Sequence, residues 1–87
     1  MQIAVFDTYV RRPDGRRMHF DILVPNSCTD QATVMRFGQA YLSSKNIPAN
    51  TLVSEECRFC HFESASAEVE QDILSAGYSI LEMQNCD

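Results

Sequence analysis

Two cysteines and a histidine form the most reactive stretch of the sequence. Cys57, Cys60 and His61 stand at the spacing Cys-x-x-Cys-His, and Cys86 follows further along the chain. Thiolate sulfur and imidazole nitrogen are the usual ligands of four-coordinate zinc sites. These four residues therefore make one candidate metal site, with zinc as the ion.

The backbone shape of this stretch decides whether the ligands can meet. In a helix or a turn, Cys57, Cys60 and His61 lie on one side, whereas in a regular strand Cys60 points away from the other two. The stretch also lacks a glycine or proline that would let the backbone fold around a metal-bound sulfur. We expect a strand, in which the two cysteines pack as small hydrophobic residues.

The same spacing has two other known uses. Attachment of c-type haem requires an exported chain, and the first residues show no basic segment ahead of an apolar one. A redox dithiol needs its first cysteine at a helix N-terminus, yet the acidic Glu55 and Glu56 precede Cys57. The residues argue against haem and leave zinc binding, thiol redox chemistry and simple packing as alternatives.

Asp7 and His19 form a second candidate polar site. Asp7 interrupts the apolar residues of an N-terminal strand, so its carboxylate must reach water, a cation or a hydrogen-bond donor. The predicted strand pairing places His19 and Asp21 on the opposite face from Asp7. A small enzyme built on Asp7 and His19 is one hypothesis, but neither a Ser-His-Asp order nor a glycine-rich phosphate loop accompanies them. We therefore favour a non-enzymatic protein.

Alternating apolar residues predict an N-terminal β-hairpin. Residues 2–10 and 16–24 alternate with a period of two, and Arg12 to Gly15 between them has the chemistry of a turn. We expect Arg11 to pair with Arg16. This register would gather the large apolar residues on one side of the hairpin.

Two helices and two further strands complete the predicted order β-β-α-β-α-β. The helices span about 30–45 and 66–76, and the strands span about 58–63 and 78–83. Cap-forming residues 26–30 precede the first helix, and a short turn at 54–56 leads into the third strand. The predicted fold class is α+β in two layers, a sheet with two helices packed on one face.

Length and charge exclude several classes of function. The 87 residues suffice for one domain, residues 1–87. A net charge of −5 disfavours binding to nucleic acid or to an anionic membrane surface. No apolar run approaches the ~20 residues of a membrane-spanning helix. Since no signal peptide is visible either, we expect a cytoplasmic protein whose cysteines stay reduced.

Four segments carry a family resemblance that spans nearly the whole chain. They are Ile3 to Val10, Met18 to Pro25, Glu56 to His61, and Gly77 to Ile80 followed by Glu82, Met83 and Cys86. Together they resemble a family of short bacterial proteins catalogued as domain of unknown function two thousand and twenty-four. The resemblance implies a compact α/β domain and brings no activity, substrate or cofactor with it.

These observations predict a small cytosolic binding or interaction domain. We expect it to form a homo-oligomer through the partly apolar outer face of the sheet around Phe6 and Leu23. The alternatives are a zinc or thiol protein that uses Cys57, Cys60 and His61, and the enzyme described above.

Overall fold

The computed structural model describes residues 1–28 and 30–87 and contains a four-stranded sheet and two α-helices. The strands are β1 (Gln2–Arg11), β2 (Arg17–Pro25), β3 (Cys57–Ser64) and β4 (Ser79–Gln84), and the helices are α1 (Gln31–Ser44) and α2 (Ala67–Ala76). Single turns of 3-10 helix lie at Ala49–Thr51 and Ser54–Glu56. The predicted α+β class, the order β-β-α-β-α-β and the turn before β3 are confirmed. The predicted capping segment 26–30 includes Thr29, which lies outside the described residues.

The N-terminal hairpin forms the centre of the sheet, as predicted. The strand order is β3-β1-β2-β4, and all three pairings are antiparallel. β1 and β2 are therefore each paired on both sides, and β3 and β4 are the two edges. A residue on the hairpin is held by two neighbouring strands, which makes this the most constrained part of the molecule.

The register of the hairpin differs by one residue from the predicted one. Arg11 pairs with Arg17 rather than with Arg16. The loop between the strands is only three residues long, since the Arg12 N–H donates to the Arg16 carbonyl at 2.8 Å and the Gly15 N–H donates to the Arg12 carbonyl at 2.9 Å. Gly15 has a φ of 90°, the left-handed conformation that ends a three-residue hairpin loop. The prediction treated the loop as four residues and therefore displaced every pair.

This register changes which residues share a face. Residues with even numbers in β1 and β2 lie on one face, which we call the α1 face: Ala4, Phe6, Thr8, Val10, Met18, Phe20, Ile22 and Val24. The other face, which we call the α2 face, carries Ile3, Val5, Asp7, Tyr9, His19, Asp21 and Leu23. The prediction that Asp7 and His19 lie on opposite faces is wrong.

The two helices pack on opposite faces of the sheet rather than on one face as predicted. Helix α1 covers the α1 face, with Val34 and Leu42 fully buried and the Tyr41 ring centroid 4.7 Å from that of Phe20. Helix α2 covers one end of the α2 face, where Ile73 and Val69 contact the residues Ile3, Val5 and Leu23. At the end of the hairpin with Ile3, Val5 and Leu23, large apolar residues lie on both faces. A single layer of helices could not have removed both apolar faces from water.

Local signals fix the ends of α2 close to the predicted bounds. The Ser66 hydroxyl accepts a hydrogen bond from the Val69 N–H at 3.2 Å, which caps the N-terminus. Gly77 follows the last turn with a φ of 89°, a conformation that glycine adopts without strain. The apolar residues Val69 and Ile73 of this helix contact Ile3, Val5 and Leu23, at one end of the α2 face.

The residues of the predicted oligomer surface do not share a face. Phe6 is 6% exposed on the α1 face, and Leu23 is 3% exposed on the α2 face. Leu23 packs against helix α2, and the centroid of the Phe6 ring lies 5.9 Å from that of Phe59 in β3. None of the helices in residues 1–28 and 30–87 is long and apolar enough to span a membrane.

Replacing Gly15 tests the loop that sets the register. We expect Gly15→Ala to lower the free energy of unfolding by about 1–2 kcal/mol, because the left-handed backbone costs a residue with a Cβ roughly that amount. In the described part of the chain, no atom beyond the two adjacent residues lies within 4 Å of an added Cβ, so backbone strain would cause the loss. Gly15→Asn is the matched control and should lose less, since asparagine tolerates this conformation. Urea unfolding followed by circular dichroism measures both, and an alanine variant as stable as the parent would contradict this loop.

Candidate metal centre

Asp7 and Asp21 are direct partners across the central hairpin. The Arg12 N–H bonds to the Arg16 carbonyl at one end of the ladder, and the Asn26 N–H bonds to the Gln2 carbonyl at the other. Counting alternate pairs from either end makes Asp7 and Asp21 a non-hydrogen-bonded pair, the type in which the side chains stand closest. Like charges in that position repel each other, which disfavours the state in which both carboxyls are ionised.

His19 lies between the two carboxylates. Its Nε2 atom is hydrogen-bonded to Oδ1 of Asp7 and stands 3.8 Å from Oδ1 of Asp21. One ligand atom from each of the three residues lies within 4.8 Å of the other two. The His19 and Asp21 side chains are 19% and 15% exposed, and Asp7 is more open at 37%. The three form a half-buried group of two oxygen ligands and one nitrogen ligand.

Neighbouring side chains hold the His19 ring in place. The Tyr9 ring stacks on it with a centroid distance of 4.3 Å, and the Arg17 guanidinium lies 4.0 Å above the Tyr9 ring. The Cys86 thiol donates to the His19 carbonyl at 3.3 Å from the neighbouring edge of the sheet. The imidazole is thus oriented before any ligand arrives, which lowers the entropy cost of binding.

The electrostatics of the group are set by burial and by the second carboxylate. Burial raises the pKa of the Asp21 carboxyl, and the negative charge of Asp7 raises it further, while the His19 charge acts in the opposite direction. His61 of β3 pairs with Val5 and so lies on the same face, where its charge also favours the ionised form of Asp21. A cation placed between the carboxylates would offset the charge of Asp7, which is the second cause of the shift after burial.

An open crevice adjoins the group beside Asp7. It has a volume of about 240 Å³ and is lined by Asp7, Tyr9, Arg17, Glu55, Glu56 and Arg58. Helix α2 covers only the opposite end of this face. The group is therefore reachable from solvent, with room next to it for water or a small ligand.

The structure does not bring together the four residues of the predicted zinc site. Cys57 is fully buried on the α1 face, where it accepts a weak hydrogen bond from Thr8 at 3.7 Å and where burial raises the pKa of its thiol. Cys86 lies at the β2–β4 side of the sheet, next to the His19 backbone. Cys57 and Cys86 thus stand at opposite edges of the sheet.

The remaining pair, Cys60 and His61, is exposed. Cys60 is the extra residue of a β-bulge, because Phe6 pairs with Phe59 while Val5 pairs with His61. The His61 Nδ1 atom lies 3.2 Å from the Cys60 sulfur, and its Nε2 atom lies 2.6 Å from a Glu63 oxygen. Within residues 1–28 and 30–87, the group of three possible metal ligands that the geometry gathers is Asp7, His19 and Asp21.

Sequence reasoning named Asp7 and His19 as one candidate polar site but placed them on opposite faces of the sheet, and it did not count Asp21 as a ligand. The pattern Asp-x-Tyr on β1 and His-x-Asp on β2 holds the signal, since alternate residues share a face. Only the loop length decides whether the two patterns face each other. The bulge at Cys60 left no comparable trace in the sequence.

The chain belongs to the family described as Domain of unknown function (DUF2024), whose model matches residues 1–83. Among solved structures it is similar to the NMR structure of protein NE1680 from Nitrosomonas europaea, Northeast Structural Genomics Consortium target NeT5. The two sequences are 44% identical, each chain is covered to 100%, and the TM-score is 0.86. No curated protein matches the sequence. The comparisons thus give the family and the fold.

Removing the Asp21 charge should stabilise the metal-free protein. A raised pKa means that the folded state holds the proton more tightly than the unfolded state, so stability falls as the pH rises above the ordinary value of 3.8. In the presence of a chelator, we expect Asp21→Asn to gain ~0.2–1 kcal/mol at neutral pH, the scale of one cross-strand pair.

The gain should disappear near and below pH 3.8. Asp30→Asn is the control, because a hydrogen bond from Thr33 lowers the pKa of that carboxyl and its charge favours the folded state. Urea unfolding at several pH values measures both variants. A loss of stability for Asp21→Asn at neutral pH would contradict the proposed repulsion.

Proposed function

We propose that this chain is a small binding domain that holds a divalent metal ion between Asp7, His19 and Asp21. The supporting observation is the convergence of two carboxylate oxygens and one imidazole nitrogen within 4.8 Å on a rigid hairpin. The proposal replaces the thiolate site expected from Cys57, Cys60 and Cys86. The enzyme hypothesis on Asp7 and His19 stays a prediction.

The chemistry of the ligands selects the class of ion. One nitrogen and two oxygen ligands suit Zn²⁺, Mn²⁺ and Fe²⁺, whereas Ca²⁺ and Mg²⁺ prefer sites made of oxygen alone. Three protein ligands also leave at least one coordination position free. The crevice beside Asp7 is where water or the carboxylate or phosphate of a small molecule would reach that position.

The electrostatics favour occupation by a cation. An ion between Asp7 and Asp21 would replace the repulsion of a direct cross-strand pair with two attractive contacts. Nε2 of His19 already points at the carboxylates, so the ring needs no reorientation to bind. The Tyr9 ring stacks on the imidazole, and the Arg17 guanidinium lies over the Tyr9 ring. These contacts would orient the ligand as outer-shell residues of metal sites do.

The state of the cysteines indicates a reducing compartment. All four cysteines are free thiols, two of them buried. Such thiols persist in the cytoplasm, where disulfides are rare. We therefore propose a cytoplasmic metal-binding domain.

Calorimetric titration of the untagged chain with Zn²⁺ and Mn²⁺ tests the site. We expect one ion per chain, and we expect His19→Ala and Asp21→Asn each to weaken binding by more than the ~10–100-fold that outer-shell changes cost. Affinity should also fall as the pH is lowered, because protons compete with the ion for its ligands and Asp21, whose pKa is raised, must ionise before it binds.

Cys60→Ser is the matched control, since Cys60 is exposed and belongs to the thiol alternative. It should leave the affinity unchanged. In NMR spectra, Mn²⁺ should broaden the signals of Asp7, His19 and Asp21 first. Loss of binding in Cys60→Ser with full binding in His19→Ala would refute the proposed centre in favour of the thiols.

A further inference from the structure

Strand β3 is an edge strand with an open outer side. It pairs with β1 on one side only, and in residues 1–28 and 30–87 nothing pairs with the other. Seven of its eight residues are exposed. An exposed edge of this kind presents a row of free backbone donors and acceptors, which is a template for another strand.

The exposed residues of β3 include two large aromatic rings. Phe59 is 49% exposed and Phe62 is 57% exposed. The bulge at Cys60 turns both rings to the α1 face, where their centroids are 4.9 Å apart. They border a groove of about 440 Å³ whose walls include Ala4, Phe6, Cys28, Gln31 and Cys57. Contiguous apolar surface next to an open edge indicates a contact site.

The sequence of β3 is complementary to itself when two copies run antiparallel. The residues Arg58-Phe59-Cys60-His61-Phe62-Glu63 meet a second copy about a two-fold axis between Cys60 and His61. In this register Arg58 faces Glu63 of the partner subunit, and Phe59 faces Phe62 of the partner subunit. The aromatic pair and the ion pair each occur twice because of the symmetry.

The faces of the sheet agree with this register. Arg58 pairs with Asp7 and Glu63 pairs with Ile3, so both charged residues belong to the α2 face. A two-fold axis perpendicular to the sheet keeps each face on its own side. All four phenylalanines would therefore meet on the α1 face, and both ion pairs would form on the α2 face.

Arg58 is available for such a contact. Its Nε atom donates to the Glu55 carbonyl at 2.7 Å, and no carboxylate in the described part of the chain makes a salt bridge with it. The other edge, β4, lacks this complementarity. Strand β4 carries one charged residue, Glu82, so a second copy of β4 would offer it no opposite charge.

We propose that the chain forms a homodimer by antiparallel pairing of β3 with β3 of a second copy. The two sheets then join into one sheet of eight strands, with the exposed rings of Phe59 and Phe62 as its central apolar contact. The opposing charges of Arg58 and Glu63 set the register. The two phenylalanines and Glu63 lie outside the group of Asp7, His19 and Asp21, whereas Arg58 pairs with Asp7 and lines the crevice beside it.

Sedimentation velocity of the full chain, with reversal of the charges, tests the dimer. We expect the wild-type protein to be dimeric at the millimolar concentrations of NMR samples. Arg58→Glu and Glu63→Arg should each raise the dimer Kd by about tenfold or more, because each creates two like-charge contacts. The double variant R58E/E63R restores opposite charges and should recover most of the affinity.

Glu68→Arg is the matched control for Glu63→Arg, since it makes the same change in net charge on an exposed position of α2. It should leave the dimer Kd unchanged. Phe62→Ser should weaken the dimer without loss of the circular dichroism spectrum, because the ring is mostly exposed. A wild-type protein that stays monomeric at millimolar concentration would overturn the proposal. This holds also if its groove binds a small apolar compound instead of a second copy. A dimer that the double variant does not rescue would overturn it as well.

Discussion

The antiparallel pairing of β1 with β2 in one fixed register is the interaction on which the rest of the structure depends. Because successive side chains in a strand point to opposite faces, a slip of one residue would move a whole row of β2 side chains to the other side. The left-handed conformation of Gly15 excludes that slip by closing the loop after three residues. The apolar residues of both strands then meet in pairs, and so do Asp7 and Asp21.

The α2 face is divided by this pairing into an apolar end and a polar end. Helix α2 covers the end with Ile3, Val5 and Leu23, because burial of those side chains drives its packing. The polar end keeps two carboxylates side by side, and burial together with the charge of Asp7 raises the pKa of the Asp21 carboxyl. Proteins keep such local conflicts where a ligand resolves them. The same hairpin thus supplies the core and the candidate centre.

Much of the fold could be predicted from the sequence, since alternation and capping are local properties. The strands, the stop at Gly77 and the turn before β3 need only neighbouring residues. The placement of α2 on the second face depended on which hairpin residues pair, and that followed from the loop. The candidate centre could not be predicted because it also depends on the loop length. Asp7, His19 and Asp21 converge in one register only. The thiol site was an alternative that rested on spacing alone, and the bulge at Cys60 places Cys57 and His61 on different faces.

NMR of the protein without added metal gives the most direct measurement of the register in which β1 pairs with β2. In non-hydrogen-bonded pairs of an antiparallel ladder the Cα atoms approach most closely, so their Hα protons give strong Overhauser effects. The structure predicts such contacts between Asp7 and Asp21 and between Tyr9 and His19. Contacts from Asp7 to Phe20 instead would place the carboxylates on different faces and contradict the account.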